Sequence, residues 1–285
     1  MEAEYMAVDK TQETPEPPKM GISFETPLGE VYREIDLHFP EKDLSVRTAF
    51  PDLKDLREII KKARDFQIDS PGTFNGVLLG NPIFRSAEDG KMVIDAERLH
   101  YFVYFAAHQL RQENPATFGE KYGALSICGV VYDRSRNCFY LSVRPSASQE
   151  EGGKIDAPGG VLNPDFENAD PFATAKDRFR RKLGLEIPEL VSVGVERIYD
   201  QHYSLHDIAM YAEVDNQMPT VDSKQFAEIN LADLETMIRS DKLTGPAKAT
   251  LLLALAQPQF ANLGWDAQRI EQLLTEINKP HDNKE

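Results

Sequence analysis

The sequence predicts an α/β fold with a mixed sheet, and three observations carry that reading. Runs rich in β-branched and aromatic residues, ALSICGVVYD and CFYLSVRP, precede a helical segment, PFATAKDRFRRKL, that is stopped by glycine. More such runs, LVSVGVERIYD and DIAMYAEVD, follow it. The last part of the chain has helical periods instead. Strands, a central helix, strands and terminal helices make an α/β or α+β arrangement. With 285 residues there is room for one large domain or two modest ones.

Taken in order, residues 1–20 are polar, acidic and proline-bearing, and are expected to be a disordered tail. Residues 21–118 are expected to form a smaller N-terminal α/β domain, and residues 119–285 a second domain with C-terminal helices. In the first, PDLKDLREIIKKARDF (51–66) has a helical period, with Leu53, Leu56, Ile59, Ile60 and Ala63 near one face. SPGTFNG is turn chemistry. GVLLGNPIFRS and KMVIDAERLHYF read as strands around AEDG, and ERLHYFVYFAAHQLRQ (97–112) as a largely apolar helix. In the second, a hairpin turns at DRSRN. Helices are expected around LADLETMIRSD, PAKATLLLALAQ and GWDAQRIEQLLTEI.

Composition sets limits on function. A hydrophobic fraction of 41% and a charged fraction of 28% are those of a soluble globular protein. No apolar run has the roughly 18 residues of a membrane span, and no secretory leader is recognisable at the N-terminus, so a cytoplasmic location is expected. The net charge of −15 argues against general nucleic-acid binding, which neutralises phosphates with Lys and Arg. Cys128 and Cys138 flank the DRSRN turn. Two cysteines make neither a disulfide framework nor a zinc motif, and both are expected to be reduced thiols.

The stretch DAPGGVLNPDFENADPFATAKDRFRRKLGL carries the chemistry. Gly159 and Gly160 permit close approach to the main chain. Asp170 is a good N-cap, Pro171 suits the first helical position, and Gly184 suits the stop. Phe172, Ala175, Phe179 and Leu183 form the apolar stripe. Arg178, Arg181 and Lys182 share another face at i, i+3 and i+4.

From Gly160 to Leu185 this stretch resembles the Nudix box of the MutT/Nudix superfamily, G-x5-E-x7-R-E-U-x-E-E-x-G-U. LSVRPSAS, KIDAPGGV, DIAMYAEVD and QFAEINLADL look like the elements that surround that box, over roughly residues 123–255. FNGVLLGNPIFR with ERLHYFVYFAAHQL is similar to the N-terminal domain of a two-domain branch, some of whose members act on nucleotide sugars. The resemblance implies an αβα sandwich with a mixed sheet, a possible homodimer, and a diphosphate-cleaving site built on Mg²⁺ or Mn²⁺.

The box departs from the pattern where its chemistry lies. With Gly184-Leu185 as the final pair, the R-E pair becomes Asp177-Arg178 and the E-E pair becomes Arg181-Lys182. Sliding the register by one residue puts Phe179 at a ligand position and spoils the glycine stop. The loop after Gly160 is about three residues longer than the pattern, and Glu167 is the nearest counterpart of the first glutamate. Magnesium takes hard oxygen ligands, and cations repel it. The expectation is therefore a degenerate, catalytically silent box, a pseudoenzyme with no cofactor. It would bind a small anionic nucleotide-type ligand, or a protein partner, through Arg144, Gly159, Gly160, Arg178, Arg181 and Lys182.

Three other readings stand beside it. Basic residues in the last turn of a helix also simply complement its dipole on a solvated surface. A metal-dependent hydrolase of nucleoside diphosphate-linked compounds would have to hold Mg²⁺ with Asp165, Glu167 or Glu228, although Asp170 is accounted for as a cap. A scaffold would expose an apolar patch, with Trp265, Ile270, Leu273 and Leu274 on the C-terminal helix as its candidates. His202 and His206 are four apart but enter a strand, which is not a zinc spacing on a helix. Ser126 and Ser142 lack the glycine elbow of a hydrolase nucleophile.

Overall fold

The computed structural model describes residues 21–50, 60–61, 64–65, 76–86, 90–113, 122–146, 151–166, 169–199 and 204–279. Of the helix expected over 51–66, residues 60–61 and 64–65 are described and are helical. The tail, most of SPGTFNG, Glu167 and His202 lie outside the described residues.

The strands are β1 (Gly21–Phe24), β2 (Glu34–His38), β3 (Val77–Ser86), β4 (Lys91–His100), β5 (Ala124–Asp133), β6 (Cys138–Val143), β7 (Ile155–Asp156), β8 (Gly159–Val161), β9 (Val191–Tyr199), β10 (Ser204–Val214) and β11 (Phe226–Asn230). The helices are α1 (Val46–Ala49), α2 (Tyr101–Glu113), α3 (Pro171–Leu183), α4 (Leu234–Arg239), α5 (Gly245–Leu255), α6 (Pro258–Ala261) and α7 (Ala267–Ile277). The fold class is α/β with a mixed sheet, as expected.

The strands form one sheet in the order β1-β9-β10-β5-β3-β4-β2. β5 is its hub. One edge pairs in parallel with β10 from Ala124 to Asp133. The other is shared in turn by β3 at Ala124, β8 at Ser126–Cys128 and β6 at Val131–Asp133. A strand that branches in this way is covered on both faces, and every residue of β5 is buried. β1, from the first expected region, pairs antiparallel with β9, from the second. Asn278, just after α7, fastens β1. The Ile22 amide donates to Asn278 Oδ1 at 2.8 Å, and Asn278 Nδ2 donates to the Ile22 carbonyl at 2.7 Å.

One face of the sheet packs on α3. Ala175, Phe179 and Leu183 meet Leu125, Ile127, Val131, Ile208 and Met210 there, and Leu79, Met92 and Ile94 extend the same cluster. The other face packs on α5, which is buried almost all round. Leu251–Leu255 lie against Val130, Phe139, Ala209 and Tyr211. A helix that is apolar on all sides belongs inside a core.

Two expectations are corrected. The helix expected from residue 97 begins at Tyr101, because Glu97–His100 pair with Val77–Gly80 across the β3–β4 ladder. Sheet pairing there overrides a helical pattern. The proposed apolar patch is not exposed. Trp265, Ile270 and Leu273 are buried in the α5 cluster, and Leu274 packs against it. The hydrophobic side of α7 closes the core of this chain. Arg269 lies over Trp265, 4.2 Å from the ring centroid.

Candidate functional site

α3 is placed by its caps. The Asp170 side chain accepts from the Phe172 amide at 2.8 Å and from the Ala173 amide at 3.3 Å. Pro171 occupies the first turn, and Gly184 ends the helix in the left-handed region at φ 67°. A Cβ on Gly184 would stand 2.0 Å from Thr220 Oγ1, so glycine is needed there on two counts.

The Gly-Gly strand lies on β5. A Cβ at Gly159 would fall 2.3 Å from the Ile127 carbonyl oxygen, so only glycine lets β8 approach so closely. Gly160 accommodates Arg178. A Cβ there would sit 3.3 Å from both Nε and Nη2 of the guanidinium. Arg178 is thus laid along the Gly-Gly strand, and its Nε is buried without a hydrogen-bond partner.

Arg181 and Lys182 project elsewhere. With Arg144, Ser146, Lys224 and Gln225 they line an open cleft of about 370 Å³ that has no carboxylate lining it among the described residues. Arg181 Nε is 2.9 Å from Asp177 Oδ2, and Arg180 is 2.7 Å from Oδ1 of the same carboxylate. Partial burial pushes the Asp177 carboxyl up, but the two guanidiniums outweigh it and hold it below the usual range. One anion is therefore shared by two cations. Lys182 and Lys224 form no ion pair among the described residues.

Arg144 stands between two spaces. It lines the basic cleft and also a smaller cavity of about 150 Å³ bounded by Gly159, Gly160, Ser126, Cys128, Asp156 and Asp207. Its Nε donates to Asp156 Oδ2 at 2.8 Å. Thr244 Oγ1 donates to the other oxygen, Oδ1, at 2.5 Å.

The six residues singled out in the sequence thus divide. Arg144, Arg181 and Lys182 share the cleft, Gly159, Gly160 and Arg144 share the small cavity, and Arg178 packs on the glycines. Ser146, Lys224 and Gln225 were not foreseen, since they come from loops that only the folded chain brings to α3.

The α3 side chains that line the cleft, Arg181 and Lys182, are cations and offer no oxygen ligands, so they do not fit Mg²⁺. The alternative carboxylates are engaged apart from one another. Asp165 pairs with Arg98 at 3.1 Å, and Glu228 accepts both bonds of Arg136 at 2.9 and 3.0 Å. His206 is mostly buried on β10, and burial, with the nearby Arg197 charge, lowers its pKa to about 4. Both cysteines are buried free thiols. No helix among the described residues is long and apolar enough to cross a membrane.

No family model matches the sequence, and no curated protein matches it. Solved structures do resemble it, and many of these are Nudix and MutT proteins. The Nudix domain of Shewanella oneidensis NrtR complexed with ADP ribose is 15% identical over 41% of this chain and 78% of that one, with a TM-score of 0.35. A second structure, of Shewanella oneidensis NrtR, is 14% identical over 56% of this chain and 81% of that one, with a TM-score of 0.39. The MutT protein of Methanosarcina mazei Go1 is 15% identical over 51% and 97%, with a TM-score of 0.37.

Proposed function

We infer that this is a Nudix-like protein whose box has been turned from a cation site into an anion site. It binds a phosphate-bearing, nucleotide-type ligand without metal-dependent turnover. One observation carries the reading: Arg181 and Lys182 of α3 converge with Arg144 and Lys224 on a cleft that no carboxylate lines among the described residues. In a chain of net charge −15 such a concentration of positive charge is out of keeping with the rest of the surface. Guanidiniums bind phosphate through paired hydrogen bonds, and ammonium groups add point charge. The dipole of α3 opposes an anion at its C-terminal end, so the side chains must supply the attraction.

The test is a thermal-shift panel of nucleotides, nucleotide sugars and ADP-ribose, each with and without Mg²⁺. A ligand at about 100 times its Kd stabilises by roughly 2.7 kcal/mol. Stabilisation that is indifferent to Mg²⁺, and absent in the Arg181→Glu/Lys182→Glu double variant, is the expected result. Stabilisation that requires Mg²⁺ would overturn the metal-free reading, and hydrolysis of the same compounds would then be measured.

A further inference from the structure

Beneath α5, on the face of the sheet opposite α3, three ionisable side chains meet where a core is otherwise apolar. Asp207 of β10 lies opposite Glu196 of β9 and beside Ser126 of β5, with Cys128 two residues further along β5 on the same face. A carboxylate oxygen of Glu196, one of Asp207 and the sulfur of Cys128 all lie within 4.8 Å of one another. All three side chains are buried.

Each carboxylate accepts from a hydroxyl group at one oxygen. Ser126 Oγ donates to Asp207 Oδ1. Thr250 Oγ1, from α5, donates to Glu196 Oε1 at 3.0 Å. Asp207 Oδ2 and Glu196 Oε2 are buried and have no hydrogen-bond partner among the described residues. A buried, unmatched carboxylate oxygen is costly, and here two carboxylates that each carry one stand beside a thiol. Hydroxyl groups that fix the far oxygen of a carboxylate are the supporting contacts found behind metal ligands.

We propose that Cys128, Glu196 and Asp207 form a binding site for a thiophilic divalent cation, of which Zn²⁺ is the type. A thiolate with two carboxylates suits Zn²⁺, with bonds of about 2.3 Å to sulfur and 2.0–2.2 Å to oxygen, and it disfavours Mg²⁺ and Ca²⁺, which take oxygen throughout. The 150 Å³ cavity touches Cys128 and Asp207, which provides an entry path and room for a water as fourth ligand. Burial, followed by the Asp207 charge, raises the Cys128 thiol and the Glu196 carboxyl well above their ordinary values, and burial, opposed by the Ser126 hydrogen bond, raises Asp207 to about 6. A dication replaces the protons that otherwise keep such groups neutral. Cys128, Glu196 and Asp207 do not line the basic cleft, which meets the small cavity at Arg144, and the proposal does not depend on a ligand there.

The full chain, stripped with a chelator and dialysed under reducing conditions, is titrated with Co²⁺. The expected result is one equivalent bound, with a near-ultraviolet thiolate-to-cobalt charge-transfer band that one equivalent of Zn²⁺ displaces. Cys128→Ser should abolish the band and Cys138→Ser should keep it. Glu196→Gln should weaken Zn²⁺ binding at least about tenfold. The wild-type spectrum decides without any variant: if no thiolate band appears, the proposal is wrong. A band that survives Cys128→Ser, or that is lost with Cys138→Ser, overturns it equally.

Discussion

The two faces of the sheet handle charge in opposite ways. On one, α3 turns Ala175, Phe179 and Leu183 inward and carries Arg180, Arg181 and Lys182 out to solvent. On the other, α5 is buried on nearly all sides apart from Lys248, and the fully buried charged groups are on the strands beneath it. The α3 face keeps its ions where water screens them and a ligand can reach them. The α5 face spends stability to hold Glu196 and Asp207 out of water, and a core does so only when neighbouring groups fix them. Charge on a surface helix therefore points to a site only where other elements bring like charge to it, as Arg144 and Lys224 do beside α3, whereas ionisable groups beneath an apolar helix call for a partner.

The largest effects should come from emptying either core. Phe179→Ala should cost about 3–5 kcal/mol and Leu252→Ala about 2–5 kcal/mol in urea or guanidinium unfolding. A loss below about 1 kcal/mol for Phe179→Ala would show that α3 does not anchor its face.

The N-caps give an intermediate and more pointed contrast. Asp170 is exposed and serves α3 alone, so Asp170→Ala should cost about 1 kcal/mol. Thr244 is buried, caps α5 by accepting from the Ala247 amide, and also donates to Asp156. Thr244→Ala removes a cap and leaves a carboxylate oxygen short of a donor, for a loss of about 2 kcal/mol or more. Equal losses at the two caps would remove the distinction between the faces.

The smallest effect should come from charge that stays at the surface. Glu235 of α4 accepts from Arg269 of α7 at 3.1 Å and from Arg239 at 2.8 Å, and these arginines hold its carboxyl below the usual range. A depressed folded pKa gives stability that is present above the unfolded value and lost as pH falls through the folded one. Glu235→Gln should therefore cost ~0.5 kcal/mol at pH 7, and the difference from wild type should vanish in acid. A difference that persists at low pH would mean that packing, not charge, joins α4 to α7.

Much of the α3 side was legible in the sequence because its signals are local. Asp170, Pro171 and Gly184 mark the ends of the helix, and Ala175, Phe179 and Leu183 mark its buried stripe. The α5 side was half legible. PAKATLLLALAQ announces a buried helix, but nothing next to Glu196 or Asp207 announces a buried carboxylate. Alternation assigns a strand residue to a face, and it does not say what covers that face. The available signal was indirect: ALSICGVVYD is apolar on both faces, so polar residues on its neighbours are buried too. That β10 is such a neighbour follows from a parallel pairing of Leu205 with Ala124, which no short stretch encodes. The same holds for Lys224, which reaches the cleft from a distant turn.

The clasp between Asn278 and Ile22 also governs the order in which the molecule can be made. A chain leaving the ribosome carries β1 from the start, yet the edge of β9 that receives it follows some 170 residues later, at Glu196–Tyr199. The side chain that fastens it comes last, 256 positions from Ile22. Long-range pairings of this kind are slow to close and leave strand edges open in the meantime. Nascent chains that stop short of Asn278 are accordingly the species for which a chaperone would have most to do.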